Sequence, residues 1–167
     1  IKTVTNESFK EDPLRLLRAI QFATRFGFTI CTETFDSIKK YAGLISTIST
    51  ERIILEIQKL FTAPKPSAGF DIMHDTGLLP LIFPDIKNIK GILQPKKKNE
   101  DVYSHTMKAL DAARVADELY DPGNINTLFA ALFHDTGKFK TQRNTDTSTP
   151  TFYNHQLVSA GIAWRWM

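Results

Sequence analysis

A single cysteine, Cys31, stands among 167 residues. One thiol cannot close an intramolecular disulfide, so a cross-linked secreted scaffold is excluded and a reducing compartment suits the chain. Long hydrophobic runs are missing too. The most apolar stretch, Gly77-Leu-Leu-Pro-Leu-Ile-Phe83, falls well short of the roughly 18 residues that a membrane span needs, and it carries Pro80. The chain does not open on a basic segment followed by an apolar one and a small-residue cleavage site. A cytoplasmic protein with no membrane partner is the expectation. No strong excess of one charge exists either: 21 Lys and Arg against 18 Asp and Glu leave +3. That balance points only weakly to polyanions, because clustering on one face matters more than the sum.

What is present fits a folded domain. Hydrophobic residues make up 42% and charged residues 23% of the chain, which excludes intrinsic disorder. Up to residue 90 there is no sustained period-two alternation, and the apolar spacing is helical throughout. The first helix is predicted from Asp12-Pro13, with Asp12 as cap and Pro13 in the first turn, to Phe26, where Gly27 closes it. Leu16, Ala19, Ile20, Ala23 and Phe26 share one side of it; Arg15, Arg18, Gln21 and Arg25 gather on the other. A second helix from Thr32 or Thr34 turns Phe35, Ile38 and Ala42 inward and stops at Gly43. Ser49 to Phe61 follows, with Ile53, Ile57, Leu60 and Phe61 on one face, then a helix from Ser67 to Gly77 and a turn bracketed by Pro80 and Pro84.

Residues 85–100 change character, with Lys87, Lys90, Gly91, Pro95 and Lys96-Lys-Lys98 and few apolar side chains. They predict a boundary, with a linker over 91–100. Beyond it come helices over about 101–120 and 126–135, a polar loop from Lys138 to Pro150, and a last helix from near Tyr153. The expected architecture is all-α, with a first domain over 1–90 and a second over 101–167. The chain starts at Ile1 and stops at Trp164-Arg-Trp-Met167 inside a predicted helix, so a fragment of a longer protein is expected.

Two groups of residues carry chemistry. His105, the neighbours His134-Asp135, and His155 offer imidazoles and a carboxylate, a donor set suited to a divalent metal that acidifies water or polarises a phosphoryl oxygen. Lys138 stands three residues on and can hold a phosphate as a point charge. Taken alone, a His-Asp pair reads as a surface or capping feature; the additional His105, Gly137-Lys138 and His155 turn the balance. The stretches Tyr103-Ser-His-Thr-Met-Lys-Ala-Leu110, Ala130-Ala-Leu-Phe-His-Asp-Thr-Gly-Lys138 and Phe152-Tyr-Asn-His155 resemble the HD metal-dependent phosphohydrolase domain, in the form attached to bacterial tRNA nucleotidyltransferases. The resemblance implies His105, His134 and Asp135 as ligands of a divalent metal, with Mg, Mn, Ni and Zn not distinguished. It implies a fourth ligand, an aspartate on a later helix, that this sequence does not reach. His155 matches an extra histidine of some members, for metal or substrate.

The second group is Glu11-Asp-Pro-Leu-Arg15. Two carboxylates and a guanidinium at a helix start can read a Watson–Crick edge, since a carboxylate accepts from the amino group of C or A and the guanidinium donates to the adjacent ring acceptor. An acidic cap with a local ion pair is the alternative reading of the same spacing. Residues 11–28, followed by Ser49-Thr-Glu-Arg-Ile-Ile-Leu-Glu-Ile-Gln-Lys-Leu-Phe61, resemble the neck and RNA-binding region of the class II tRNA nucleotidyltransferase (CCA-adding) and poly(A) polymerase family. That resemblance implies tRNA or another RNA, with CTP and ATP, as partners. It implies Glu11, Asp12 and Arg15 as the base template, with Arg18 beside them, and Arg52 as structural support of the nucleotide-binding helix.

Family members also carry a head with a glycine-rich loop and an aspartate pair holding Mg. This sequence has no Gly-Gly, no Asp-x-Asp and no β–α pattern, so the chain alone is expected not to transfer nucleotides. A tRNA nucleotidyltransferase that adds or repairs the 3′ CCA end is the implied parent. A poly(A) polymerase on the same scaffold and a non-catalytic RNA-binding scaffold with a degenerate HD site are the alternatives. The remaining basic residues, Lys87, Lys90, Lys96, Lys97, Lys98, Lys138, Lys140 and Arg143, read as a solvated linker and loop rather than a phosphate track. His74 and Cys31 read as packing or surface, and Trp164, Trp166 and Met167 as helix-face core.

Overall fold

The structure, a computed structural model, describes residues 1–3, 7–94, 100–120, 122–143 and 150–166. Lys96 to Lys98, Thr147 to Thr149 and Met167 lie outside the described residues. Apart from two isolated bridges, Leu93 with Asp101 and Arg143 with Thr151, the regular structure among the described residues is helical. None of these helices is long and apolar enough to cross a membrane. The chain divides into two compact units, Ile1–Phe83 and Pro84–Met167.

The first unit contains α1 (Ser8–Glu11), α2 (Leu14–Phe26), α3 (Thr32–Tyr41), a 3₁₀ segment over Ala42–Thr47, α4 (Thr50–Phe61), α5 (Ser67–Asp75) and α6 (Leu79–Ile82). Asp12 starts α2 by accepting the Leu14 N–H on Oδ1 at 3.2 Å. Gly27, at φ 67°, ends it in the left-handed conformation that a Cβ disfavours, with its N–H bonded to the Ala23 carbonyl. Between these ends α2 packs on both α4 and α5. Leu16, Leu17 and Ile20 meet a core that includes Ile57, Leu60 and Phe61, all fully enclosed. Phe70 is its aromatic centre, with ring centroids 6.2 Å from Phe61 and 5.8 Å from Phe83.

Packing on two sides widens the buried arc of α2 and moves two residues from their predicted faces. Gln21 shares the stripe of Leu14 and Leu17 and is 1% exposed rather than solvated. Phe26 falls on the stripe of Arg15 and Arg18 and is 54% exposed. Gly43 does not end the next segment, which tightens into the 3₁₀ run through Thr47, and Phe35 is only half-buried.

The second unit contains α7 (Pro84–Lys87), α8 (Val102–Tyr120), α9 (Ile125–Phe133), α10 (Lys138–Thr141) and α11 (His155–Ala163). The division falls before the predicted 91–100 linker, and the start of that stretch is tied to the start of α8: Val102 N–H donates to Ile92 O at 2.8 Å and Gly91 N–H to the Asp101 carboxylate at 2.8 Å. Asp101 also accepts the Ser104 N–H at 2.7 Å, capping α8. Burial raises the Asp101 carboxyl, but these hydrogen bonds outweigh it and hold the group below its usual range. The predicted loop from Lys138 begins as the helical turn α10. Its far part is closed by Arg143 and Thr151, which exchange both backbone hydrogen bonds at 3.0 Å. Trp164 continues the exposed stripe of Leu157 and Ala160 and is 80% exposed instead of packed, while Trp166 stacks on Phe133 at 6.1 Å.

Phe70 is fully buried and bridges two other rings, so Phe70→Ala should cost about 3–5 kcal/mol of stability. Urea denaturation followed by far-UV circular dichroism measures it; a loss under about 1 kcal/mol would contradict this packing.

Candidate metal centre and nucleotide cleft

In the second unit, α8 and α9 pack side by side, and α9 and α10 both pack on α11. The apolar face of α9, with Leu128, Phe129, Leu132 and Phe133 buried, brings the chain to His134 and Asp135 just past its last turn. His105 comes from the first turn of α8 and His155 from the first residue of α11. Close approach of the backbones makes this convergence possible. A Cβ on Gly137 would lie 2.2 Å from the His155 carbonyl oxygen and 2.8 Å from Ser159 N. The Gly137 N–H donates to Ser159 Oγ at 2.8 Å, pinning the turn after Asp135 to α11.

The Asp135 carboxylate is the centre. Oδ2 lies 3.2 Å from His134 Nε2, 3.7 Å from His105 Nε2 and 2.7 Å from Lys138 Nζ; Oδ1 lies 3.3 Å from His155 Nε2. Potential ligand atoms of His105, His134 and Asp135 all fall within 4.8 Å of one another. Two of the rings are oriented from behind: His134 Nδ1 is 2.8 Å from Ala131 O and His155 Nδ1 is 2.7 Å from Phe152 O. A carbonyl only accepts, so each Nδ1 carries the proton. In the neutral ring Nε2 is then a lone pair aimed at a carboxylate oxygen. Such an arrangement demands a cation between the two, either a proton on each imidazole or one shared metal ion. A site with oriented imidazoles, a carboxylate and a supporting hydrogen-bond layer fits a divalent ion.

The electrostatics follow from the same contacts. Burial raises the Asp135 carboxyl, yet hydrogen bonds from His134 and Lys138 overcome it and hold the group far below the usual carboxylate range. Burial lowers the His134 imidazole, and its bonds to Asp135 and the Ala131 carbonyl reverse that, leaving it above its usual value. Lys138 is buried, spans from Asp135 to Gln94 Oε1 at 3.2 Å and lies over the Phe152 ring. It pairs with Asp135, and the sequence pattern suggested the same residue as a point charge for a substrate phosphate. A cavity of about 310 Å³, lined by Ala130, Phe133, His134, Gln156, Ser159, Ala160 and Ala163, opens beside His134.

In the first unit, Glu11 and Arg15 line an open cleft of about 590 Å³ with Arg18, Ala19 and Phe22 of α2 and residues 1–3. Arg15 donates to Glu11 Oε2 at 2.8 Å and to the Ser8 carbonyl at 3.0 Å, so its guanidinium is held in place beside an accessible carboxylate. Asp12 does not line the cleft: it caps α2 and pairs with Arg52, whose NH2 lies 3.3 Å from Oδ1. Arg18 Nε sits 3.6 Å from Oε1 of Glu56, a buried carboxylate that also meets Lys59 Nζ at 2.9 Å.

Sequence comparison points the same way. Residues 27–90 match a protein family described as the probable RNA and SrmB-binding site of polymerase A. The multifunctional CCA protein of Pasteurella multocida (strain Pm70) is 34% identical over 162 residues, covering 93% of this chain and 37% of that protein. The multifunctional CCA protein of Actinobacillus pleuropneumoniae serotype 5b (strain L20) is 34% identical over 158 residues, covering 90% of this chain and 37% of that protein. These matches support a region of the CCA-adding and poly(A) polymerase family. The chain spans little over a third of the length of these CCA-protein relatives.

Of the residues singled out from sequence, His105, His134, Asp135, Lys138 and His155 come together in one cluster, and Glu11, Arg15 and Arg18 in one cleft. Asp12 and Arg52 form a separate pair at the base of α2. Gln94 and the carbonyls of Ala131 and Phe152 were not legible as site groups, since a backbone acceptor or a lone amide has no sequence signature.

Metal ligation needs the deprotonated His134 Nε2, and that proton is held more tightly than in a free imidazole. Divalent-ion affinity should therefore fall as pH drops through a point above the ordinary imidazole value, by about tenfold per pH unit for one displaced proton. Metal-free protein has the opposite sign: a raised imidazole stabilises the fold below its ordinary pKa, and that contribution is lost as pH rises through the raised one. Calorimetric titration with Mn²⁺ or Ni²⁺ and thermal melts of the metal-free chain, both from pH 6 to 8, check the pair of slopes.

Proposed function

We propose that this chain supplies base selection, RNA contact and an HD-type phosphohydrolase site to a tRNA nucleotidyltransferase that builds or repairs the 3′ CCA end in the cytoplasm. In this reading the neck and RNA-binding region covers 1–90 and the HD domain 101–167. The observation that carries it is the carboxylate of Asp135 facing three imidazole Nε2 atoms, in a chain whose other unit presents a held carboxylate–guanidinium pair to an open cleft. Relatives named multifunctional CCA proteins suit a protein with more than one active site.

In the HD site, His105, His134 and Asp135 would hold a divalent ion, with His155 at the far oxygen of the same carboxylate. The ion would supply an acidified water and polarise a phosphoryl oxygen. Lys138 and the two backbone carbonyls keep the ligands in register, and the cavity beside His134 receives the organic part of a phosphoester. In the cleft, the Glu11 carboxylate accepts from the amino group of C or A while Arg15 donates to the neighbouring ring acceptor. U and G present carbonyls to Glu11 and are refused. Asp12, held by Arg52, sets where the α2 terminus sits, and Arg18 lines the cleft wall.

The family description of polymerase A favours one further reading, a poly(A) polymerase using the same cleft. Incubating the full-length protein with tRNA and CTP separates the two, since only a CCA-adding enzyme incorporates C.

His134→Ala should abolish stoichiometric binding of Mn²⁺ or Ni²⁺ and any hydrolysis of bis(p-nitrophenyl) phosphate, while the chain stays helical by far-UV circular dichroism. Metal content by mass spectrometry after dialysis is the readout, and equal metal in both proteins would defeat the assignment. Arg15→Ala should erase the preference for CTP and ATP over UTP and GTP, a change of about 1–3 kcal/mol per lost pair, read by equilibrium binding of the four nucleotides. Unselective binding by the unmodified chain would overturn the template role.

A further inference from the structure

The solvent-facing stripe of α2 carries more than guanidinium groups. Arg15, Arg18, Phe22, Arg25 and Phe26 fall within about 100° of arc at helical spacing, and Phe28 follows just past Gly27. Phe22 is 42%, Phe26 54% and Phe28 56% exposed. Their rings form a ladder rather than a scatter: Phe22 and Phe26 stack at 6.0 Å and 22°, and Phe26 and Phe28 lie 5.7 Å apart. The Arg25 guanidinium lies 5.2 Å from the Phe26 ring centre.

Two features indicate what this ladder takes. Phe22 lines the same cleft as Glu11, Arg15 and Arg18, so the stripe runs on from the nucleotide position without a break. At its other end, Phe26 and Phe28 border a groove of about 630 Å³ whose charged wall is Arg25 and Lys65, with no carboxylate among its described lining residues. Alternating cations and exposed rings suit a polyanion with flat apolar faces: cations meet phosphates and rings meet unpaired bases, whatever their sequence. An uncharged protein surface would use the rings and leave the cations unmatched.

We propose that Phe22, Phe26 and Phe28, with Arg18, Arg25 and Lys65, form a stacking platform for the unpaired 3′ end of an RNA strand whose terminus lies at the Glu11–Arg15 cleft. From Arg15 to Phe26 the stripe is about 16 Å long at the α-helical rise, room for a few nucleotides. The proposal rests on the RNA-binding reading above and assigns that reading a track and side chains.

The test uses the whole chain and two RNA hairpins, one blunt and one with a four-nucleotide unpaired 3′ tail containing 2-aminopurine. The unmodified protein should prefer the tailed hairpin and quench the 2-aminopurine. Phe22→Leu/Phe26→Leu keeps the hydrocarbon and removes the flat rings. It should melt like the parent, bind the tailed hairpin about tenfold or more weakly, lose the quench, and keep its affinity for the blunt hairpin. Arg25→Gln should weaken both hairpins. Unchanged tail preference and quench in the double variant would overturn the platform while leaving RNA binding intact. If the unmodified chain binds neither hairpin, the RNA-binding reading falls and the platform with it. Concentration-dependent self-association that is lost in the double variant, without any change in RNA binding, would assign the ladder to protein contact and also overturn the proposal.

Discussion

One carboxylate organises the second unit. Asp135 is buried, and a buried anion is tolerated only where cations or donors surround it. Here they arrive from three helices and the turn between them: His105 from α8, His134 and Lys138 on either side of Asp135 itself, and His155 from α11. Each partner constrains the helix that carries it. The need to neutralise Asp135 therefore holds α8, α9 and α11 in the arrangement that gathers the three imidazoles around it, and the packing of Gly137 against α11 allows the approach. Site and fold are one constraint in this unit.

Charge is handled differently in the first unit. Glu56 is buried beneath Arg18 and Lys59, Asp12 is tied to Arg52, and Glu11 is tied to Arg15. The first two pairs link α4 to the α2 end of the unit and serve its geometry. The third is accessible at both partners, so a ligand can exchange with it at small cost, because exposed ion pairs contribute little. The same three-residue motif thus splits into one member tied to α4 and two members that line an open cleft. Equal spacing in sequence did not mean equal surroundings.

Much of the helical plan is legible from the chain alone. Apolar spacing at i, i+3 and i+4 marked α2 and α4, Gly27 marked an end, and Asp12 and Asp101 marked starts, since capping and periodicity are local physics. Legibility failed where an element is enclosed on two sides or leaves an apolar stripe uncovered. Gln21 is buried because α2 packs on both α4 and α5, and Trp164 is exposed because it lies on the open stripe of α11 with Leu157 and Ala160. The turn α10 was invisible within a polar stretch because one turn has no period to detect.

Residue types and their neighbours by themselves determined that this protein is helical, that His134 and Asp135 stand together, and that Glu11 and Arg15 share a helix start. They determined these things because each depends on contacts within a few residues. Tertiary structure alone decided that His105 and His155 reach Asp135, that Lys138 is buried on it, that Asp12 turns to Arg52, and that a ladder of three phenyl rings faces outward. These depend on which helix faces are already occupied, and only the packed chain contains that information.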